Sequence, residues 1–311
     1  INDINQKTNG PLWSEYLAKA WGLQLKSYAT LGARVCRATD IYSPSVANQV
    51  EEYKSSYLEK NKNNKSEKDQ LSRDVHAFFI GITDITNSTR FEERTLIGCV
   101  KQQIASITAS NPKAQILLLS IPPLESSPFY MQHHLRDDIK QRITSYNIQL
   151  EDTVTDIKED MGPLAPIVFV DNNFLFGDIL GNPAGYGIED VENAYWDQCQ
   201  GRCNTSMNSY LWWDKIHLTG AGHKAIADNM IDSNPFHYQI NKDYNNNDGQ
   251  SNSYYSINGF SGENMKYATY FLLLCFFGFL VLIFQRKYGL SLYLKSLWKR
   301  KRNHAYTPVP V

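Results

Sequence analysis

Residues 267–284 (YATYFLLLCFFGFLVLIF) form an 18-residue run without a single charge. At about 1.5 Å of rise per helical residue, such a run crosses most of a hydrocarbon core. Lys266 precedes it, while Arg286, Lys287, Lys295, Lys299, Arg300, Lys301 and Arg302 follow it. Positive charge gathers on the cytoplasmic side of a span, so the pattern predicts one transmembrane helix over 267–284 and a basic cytoplasmic tail over 285–311. Everything before the helix then lies outside the cytoplasm or in a secretory lumen. A lipid-anchor signal fits less well, because its hydrophobic segment should end the chain and 27 residues follow the run. A type I topology also requires a signal peptide. The sequence opens at Ile1 without one, so further sequence is expected upstream. Any globular fold must be built from the residues before the span.

That part carries all 32 acidic residues and 24 of the 31 basic ones, a balance of −8, against +7 for the rest. A domain so acidic does not offer the basic face that nucleic acid requires. N-x-S/T sequons at Asn64, Asn87 and Asn204 fit glycosylation on the outer side. Four cysteines precede the span. Cys199 and Cys203 bracket the short loop CQGRC and are the pair expected to join in an oxidising compartment. The spacing leaves the pairing of Cys36 and Cys99 open. No His or Cys stands at ligand spacing for zinc, and no metal is expected.

Along the chain, Pro11 at a first turn and Gly22 after the last periodic residue mark a helix with Trp13, Tyr16, Leu17 and Ala20 inward. A short strand is predicted over 27–29. Val46, Val50, Tyr53 and Tyr57 recur at helical spacing, and the charged run 59–69 reads as a solvated loop. An apolar strand over 77–82 precedes a helix through Ile97, Val100, Ile104 and Ile107. The strand 115–121 stops at Pro122-Pro123, a long helix carries Ile139, Ile143, Tyr146 and Leu150, and 167–170 is a further strand. A last helix runs from the N-cap Thr219 to Ile231. Short apolar strands alternating with helices predict a parallel α/β sheet covered on both faces. The domain is expected to span 1–233. The Asn-, Ser- and Tyr-rich segment 234–264 reads as a flexible stalk.

Within this frame, Asp214-Lys215-Ile216-His217 places a carboxylate three residues before an imidazole, next to the last helix. Such a carboxylate holds one ring nitrogen and its tautomer, leaving the other free as a general base. Together with NGPLWSEYLA (9–18), SYATLGA (27–33) and FFIGITDI (78–85), this turn resembles the GDSL/SGNH hydrolase superfamily, especially its secreted lipase- and acetylesterase-like members. The likeness spans about 9–231.

The resemblance implies a three-layer, flavodoxin-like α/β fold and hydrolysis of carboxylic esters by Ser-His-Asp acyl transfer, without a cofactor. His217 takes the place of the general base and Asp214 of its orienting partner. Gly32 takes that of a backbone oxyanion donor. The family's third block reads G-x-N-D; here Gly81-Ile82-Thr83-Asp84 puts Thr83 where Asn supplies the second oxyanion donor. Losing one such donor costs on the order of 100-fold or more in rate. The substrate would be an acetylated carbohydrate or a lipid ester.

The nucleophilic serine of a G-D-S block is expected upstream of residue 9, and no G-D-S occurs in the sequence. Residues 1–8 are too few for its strand and loop. Either the sequence is N-terminally incomplete or the chain has lost catalysis and serves as a binding glycoprotein. Incompleteness is favoured, because deleting an interior strand leaves buried ladder groups unpaired at roughly 1–3 kcal/mol each. Of the remaining conspicuous residues, His223, Trp212 and Trp213 are expected to be structural, His133 and His134 to lie in a loop, and Gly185 and Gly187 to mark a turn.

Overall fold

The computed structural model describes residues 7–37, 43–63, 74–88, 91–162, 166–241 and 244. Its centre is β2 (Gln115–Leu119), flanked by β1 (Val75–Phe78) and β3 (Ile167–Val170) in a parallel sheet of order β1-β2-β3. The register pairs Val75 with Gln115 and Phe78 with Leu118 on one side, and Ile116 with Ile167 and Leu119 with Val170 on the other. Parallel neighbours need long crossovers. These are supplied by α3 (Ile82–Asn87) and α4 (Glu93–Ser110) after β1, and by α5 (Arg136–Met161) after β2.

Side chains alternate across a strand, so the apolar run of β2 must be buried on both faces. Ile116 and Leu118 enter one core with α4, α5 and α2 (Val46–Asn63), through residues such as Val50, Val100, Ile104, Ile143 and Tyr146. Leu117 and Leu119 enter a second core with α1 (Trp13–Ala20), α6 (Asn172–Gly181) and α8 (Gly220–Ser233), through Leu17, Phe176, Ile179, Ile226 and Met230. Each such side chain contributes about 1.5–3 kcal/mol when fully buried. The result is three layers, helices on both faces of a parallel sheet. A second, two-stranded parallel sheet pairs β4 (Asp190–Ala194) with β5 (Tyr210–Trp212), and α7 (Tyr195–Cys199) lies between them in sequence.

Several sequence expectations change. Residues 27–29 form no ladder; the segment around them is mostly exposed, and only Tyr28 packs against the core. The strand predicted over 77–82 starts at Val75 and ends at Phe78, because Gly81 turns the backbone to φ 116° and Ile82 already begins α3. Helix α2 continues through Asn63 into the charged run expected as loop, in keeping with the helix propensity of Leu58, Glu59 and Lys60. The stalk does not begin at 234. Phe236, Tyr238 and Ile240 pack on the second core, Tyr238 stacks on Trp21 at 4.9 Å, and Asn241 N–H donates to the Ala20 carbonyl. Irregular aromatic spacing hid this return to the domain. Among the described residues no helix is long and apolar enough to cross a membrane, and the span expected at 267–284 lies outside them.

The loops leaving β1 and β2 are held by one stripe of α5. Tyr146 donates its hydroxyl to the Ile80 carbonyl, and Arg142 donates to the carbonyls of Ile85 and Ser88. Buried Asn147 accepts from Ile121 N–H and donates to Ile121 C=O, both at 2.8 Å. Asn147→Ala would orphan the Ile121 N–H and leave its carbonyl only the longer bond from Asn173 Nδ2 at 3.4 Å, and is expected to lower stability by about 1–3 kcal/mol in urea melts. A loss under about 0.5 kcal/mol, the scale of a neutral surface change, would contradict this clamp.

Candidate active site

The turn that carries Asp214 and His217 is closed at its base by the backbone. Trp213 N–H donates to His217 C=O at 2.7 Å, Thr219 N–H donates to Leu211 C=O at 3.0 Å, and Trp212 bridges Leu218. Thr219 then caps α8, accepting from Gly222 N–H while donating to Tyr210 C=O. Asn9 adds a second cap by accepting from Gly220 N–H at 2.8 Å, and the Cα of Gly10 lies where a Cβ on Gly220 would come within 3.2 Å. The block around residue 9 is therefore a clamp on α8, and hence on the turn before it.

Inside the turn the Asp214 carboxylate gathers three donors. Ile216 N–H and His217 N–H donate to Oδ1 at 3.0 and 2.8 Å, and His217 Nδ1 lies 2.8 Å from Oδ2. Partial burial pushes the carboxyl up. The His217 ring bond, the two backbone donors and the imidazole's charge outweigh that and hold it at about 2. A carboxylate ionised at every ordinary pH fixes hydrogen on Nδ1. It leaves Nε2, which has no hydrogen-bond partner among the described residues, as a base.

Gly32 sits at the third position of the turn 30–33, closed by Ala33 N–H to Thr30 C=O at 3.1 Å. Its φ of 75° is one that glycine adopts without strain. The turn is exposed, and Gly32 N–H has no partner among the described residues. Thr83 lies on the first turn of α3, at the C-terminal end of β1, partly exposed and with its hydroxyl unbonded among the described residues. The carboxyl ends of parallel strands are where α/β sheets place ligands. Asp84, buried, ties the two segments together: its Oδ2 accepts from Val35 N–H at 3.0 Å. Burial pushes this carboxyl up, opposed by the Val35 bond, Arg34 and its own backbone N–H. Ile216 packs on the same core that holds Val35 and Ile85, so the Asp214–His217 turn and the segments carrying Gly32 and Thr83 border one cluster.

Sequence reasoning matched Asp84 to the last position of G-x-N-D without giving it a role, and did not single out Val35. The bond between them spans 49 residues, and no local spacing announces it. Cys199–Cys203 is joined as expected, and Cys36–Cys99 forms a second disulfide. Asn87 and Asn204 are exposed; Asn64 lies outside the described residues. Trp212 is buried with its indole N–H on Val191 C=O, and Trp213 stacks on Tyr195. His223 is pushed down to about 4, by burial first and then by His217, which leaves it neutral near pH 7.

The GDSL-like lipase/acylhydrolase family model matches residues 2–230. The chain belongs to this family. Among solved structures, it is similar to a catalytic mutant of Axe2, an acetylxylan esterase from Geobacillus stearothermophilus, at 17% identity and a TM-score of 0.34, over 61% of this chain and 69% of that one. No curated protein matches the chain.

The Asp214 carboxyl, held at about 2 against an ordinary 3.8, stabilises the fold above pH 4 and loses that contribution as pH falls through the interval between those values. In urea melts, the stability difference between wild type and Asp214→Asn is therefore expected to shrink as pH falls from about 4 towards 2. A difference that stays constant between about pH 4 and pH 2 would contradict the bonding described.

Proposed function

We propose that the chain is the base-bearing part of a membrane-anchored serine hydrolase of carboxylic esters. The observation that carries the reading is the His217 imidazole, fixed at Nδ1 by an ionised carboxylate with Nε2 unpartnered among the described residues, in a chain of the GDSL-like family. Among the described residues no hydroxyl hydrogen-bonds Nε2; as the nucleophile we propose a serine of the G-D-S block that the family resemblance places ahead of residue 9. Strand β1 is compatible with that: among the described residues it pairs only with β2, and Ala77 in its middle is exposed.

The serine Oγ attacks the ester carbonyl while His217 Nε2 takes its proton, and Asp214 stabilises the resulting imidazolium. Negative charge developing on the carbonyl oxygen is met by Gly32 N–H and the Thr83 hydroxyl. Collapse expels the alcohol, which receives the proton from His217. Water, activated by the same base, then releases the acid. The ester is an acetylated carbohydrate or a lipid. A second reading, a binding glycoprotein without catalysis, is favoured by one residue: Thr83 stands where the family carries Asn.

In the full-length protein, His217→Ala is expected to lower kcat for a short-chain nitrophenyl ester by about 10³–10⁴-fold without unfolding the domain. Undiminished hydrolysis would remove His217 from the mechanism, and an inactive wild type would favour the second reading. For the anchor, protease applied to sealed microsomes is expected to clip the C-terminal tail and spare the domain. The reverse pattern would overturn the type I topology.

A further inference from the structure

Asp84 is a buried acid that the proton transfers above do not use. We infer that it is a positioning residue: by holding Val35 N–H it sets where the Gly32 turn stands relative to the first turn of α3. This inference rests on the proposed esterase reading, in which Gly32 N–H and Thr83 share one oxyanion.

On the α3 side, Asp84 cannot drift. Tyr146 hydrogen-bonds Ile80, and its ring lies so close beneath Gly81 that a Cβ there would approach it to 2.8 Å. Arg142 binds the carbonyls of Ile85 and Ser88 from the same helix, α5. On the other side, the segment after Gly32 is anchored away from the turn. Arg34 N–H donates to Pro44 C=O, Val46 N–H to Arg34 C=O, and Cys36 is bonded to Cys99 on α4. Those anchors hold residues 34–36 to α2 and α4, but none of them faces α3. Residues 22–27 and 29–32, before and within the turn, are exposed, Leu31 by 81%, and gain little from packing. The Asp84–Val35 bond is thus the direct link between the two oxyanion donors. An error of a fraction of an ångström there misplaces a donor that must sit at about 2.7–3.1 Å from the developing charge.

The groups around the carboxyl fit a tether. It receives Val35 N–H, stands near the Arg34 charge and adjoins Tyr146, whose buried phenol remains un-ionised. An amide oxygen can accept the same N–H, so the link needs an acceptor at this place and tolerates loss of the charge.

The test uses full-length protein with Asp84→Ala and Asp84→Asn. For a nitrophenyl ester, Asp84→Ala is expected to lower kcat about 100-fold with KM within about twofold, and Asp84→Asn to recover kcat to within about tenfold of wild type. Hydrogen exchange at the Val35 amide is expected to accelerate at least about tenfold in Asp84→Ala and to stay protected in Asp84→Asn. A folded Asp84→Ala enzyme with kcat near wild type, unchanged exchange at Val35, or an Asp84→Asn variant as damaged as the alanine would each overturn the inference. If the alanine variant does not fold, Asp84→Ser, whose hydroxyl is too short to reach, takes its place with the same expected outcomes. An inactive wild type would defeat the esterase reading alone, because exchange at Val35 still decides whether the tether exists.

Discussion

Because consecutive residues of β2 are buried on alternate faces, helices must cover both sides of the sheet, and the neighbouring strands must run parallel so that those helices serve as crossovers. From that constraint follows the placing of Thr83 and Asp84. Parallel strands end on the same edge, and there the chain leaves β1 through Gly81–Asp84. Arg142, Tyr146 and Asn147 then fix that edge by bonding backbone groups of the loops after β1 and β2. The order is hydrophobic burial first, a hydrogen-bonded rim second, and chemistry on the rim.

The Asp214–His217 turn is positioned by different means. It lies outside the central sheet, between β5 and α8, and its geometry comes from two backbone closures and two side-chain caps, Thr219 and Asn9. This division of labour separates the proposed base from the proposed oxyanion donors. They come from distant segments that share only the margin of one core. A serine protease-like constellation works as a unit, so its parts must be held to within fractions of an ångström by elements that do not themselves react.

Much of this was legible in the sequence wherever a period ran long enough. The residues Val100, Ile104 and Ile107 of α4, and Ile139, Ile143 and Tyr146 of α5, were assigned to core faces and are buried there. Strand β3 begins and ends where its apolar run does, and Thr219 caps α8 as its hydroxyl predicted. What failed was short, or apolar all round, or set by distant partners. α6 (NNFLFGDILG) shows little contrast between faces. β5 is three residues long, and Tyr238 returns to Trp21 across more than two hundred residues. The Asp-x-x-His pair was visible because its partners are three residues apart. The bond from Val35 to Asp84 escaped notice because the two are 49 residues apart.

The central claim is that His217 serves a serine nucleophile, and trapping that nucleophile tests it most directly. Full-length protein would be treated with a fluorophosphonate, digested, and the modified residue located by mass spectrometry. One adduct is expected, on a serine N-terminal to Ile1, with labelling slowed at least about 10³-fold in His217→Ala. No adduct in folded wild-type protein, or labelling indifferent to His217, would contradict the claim.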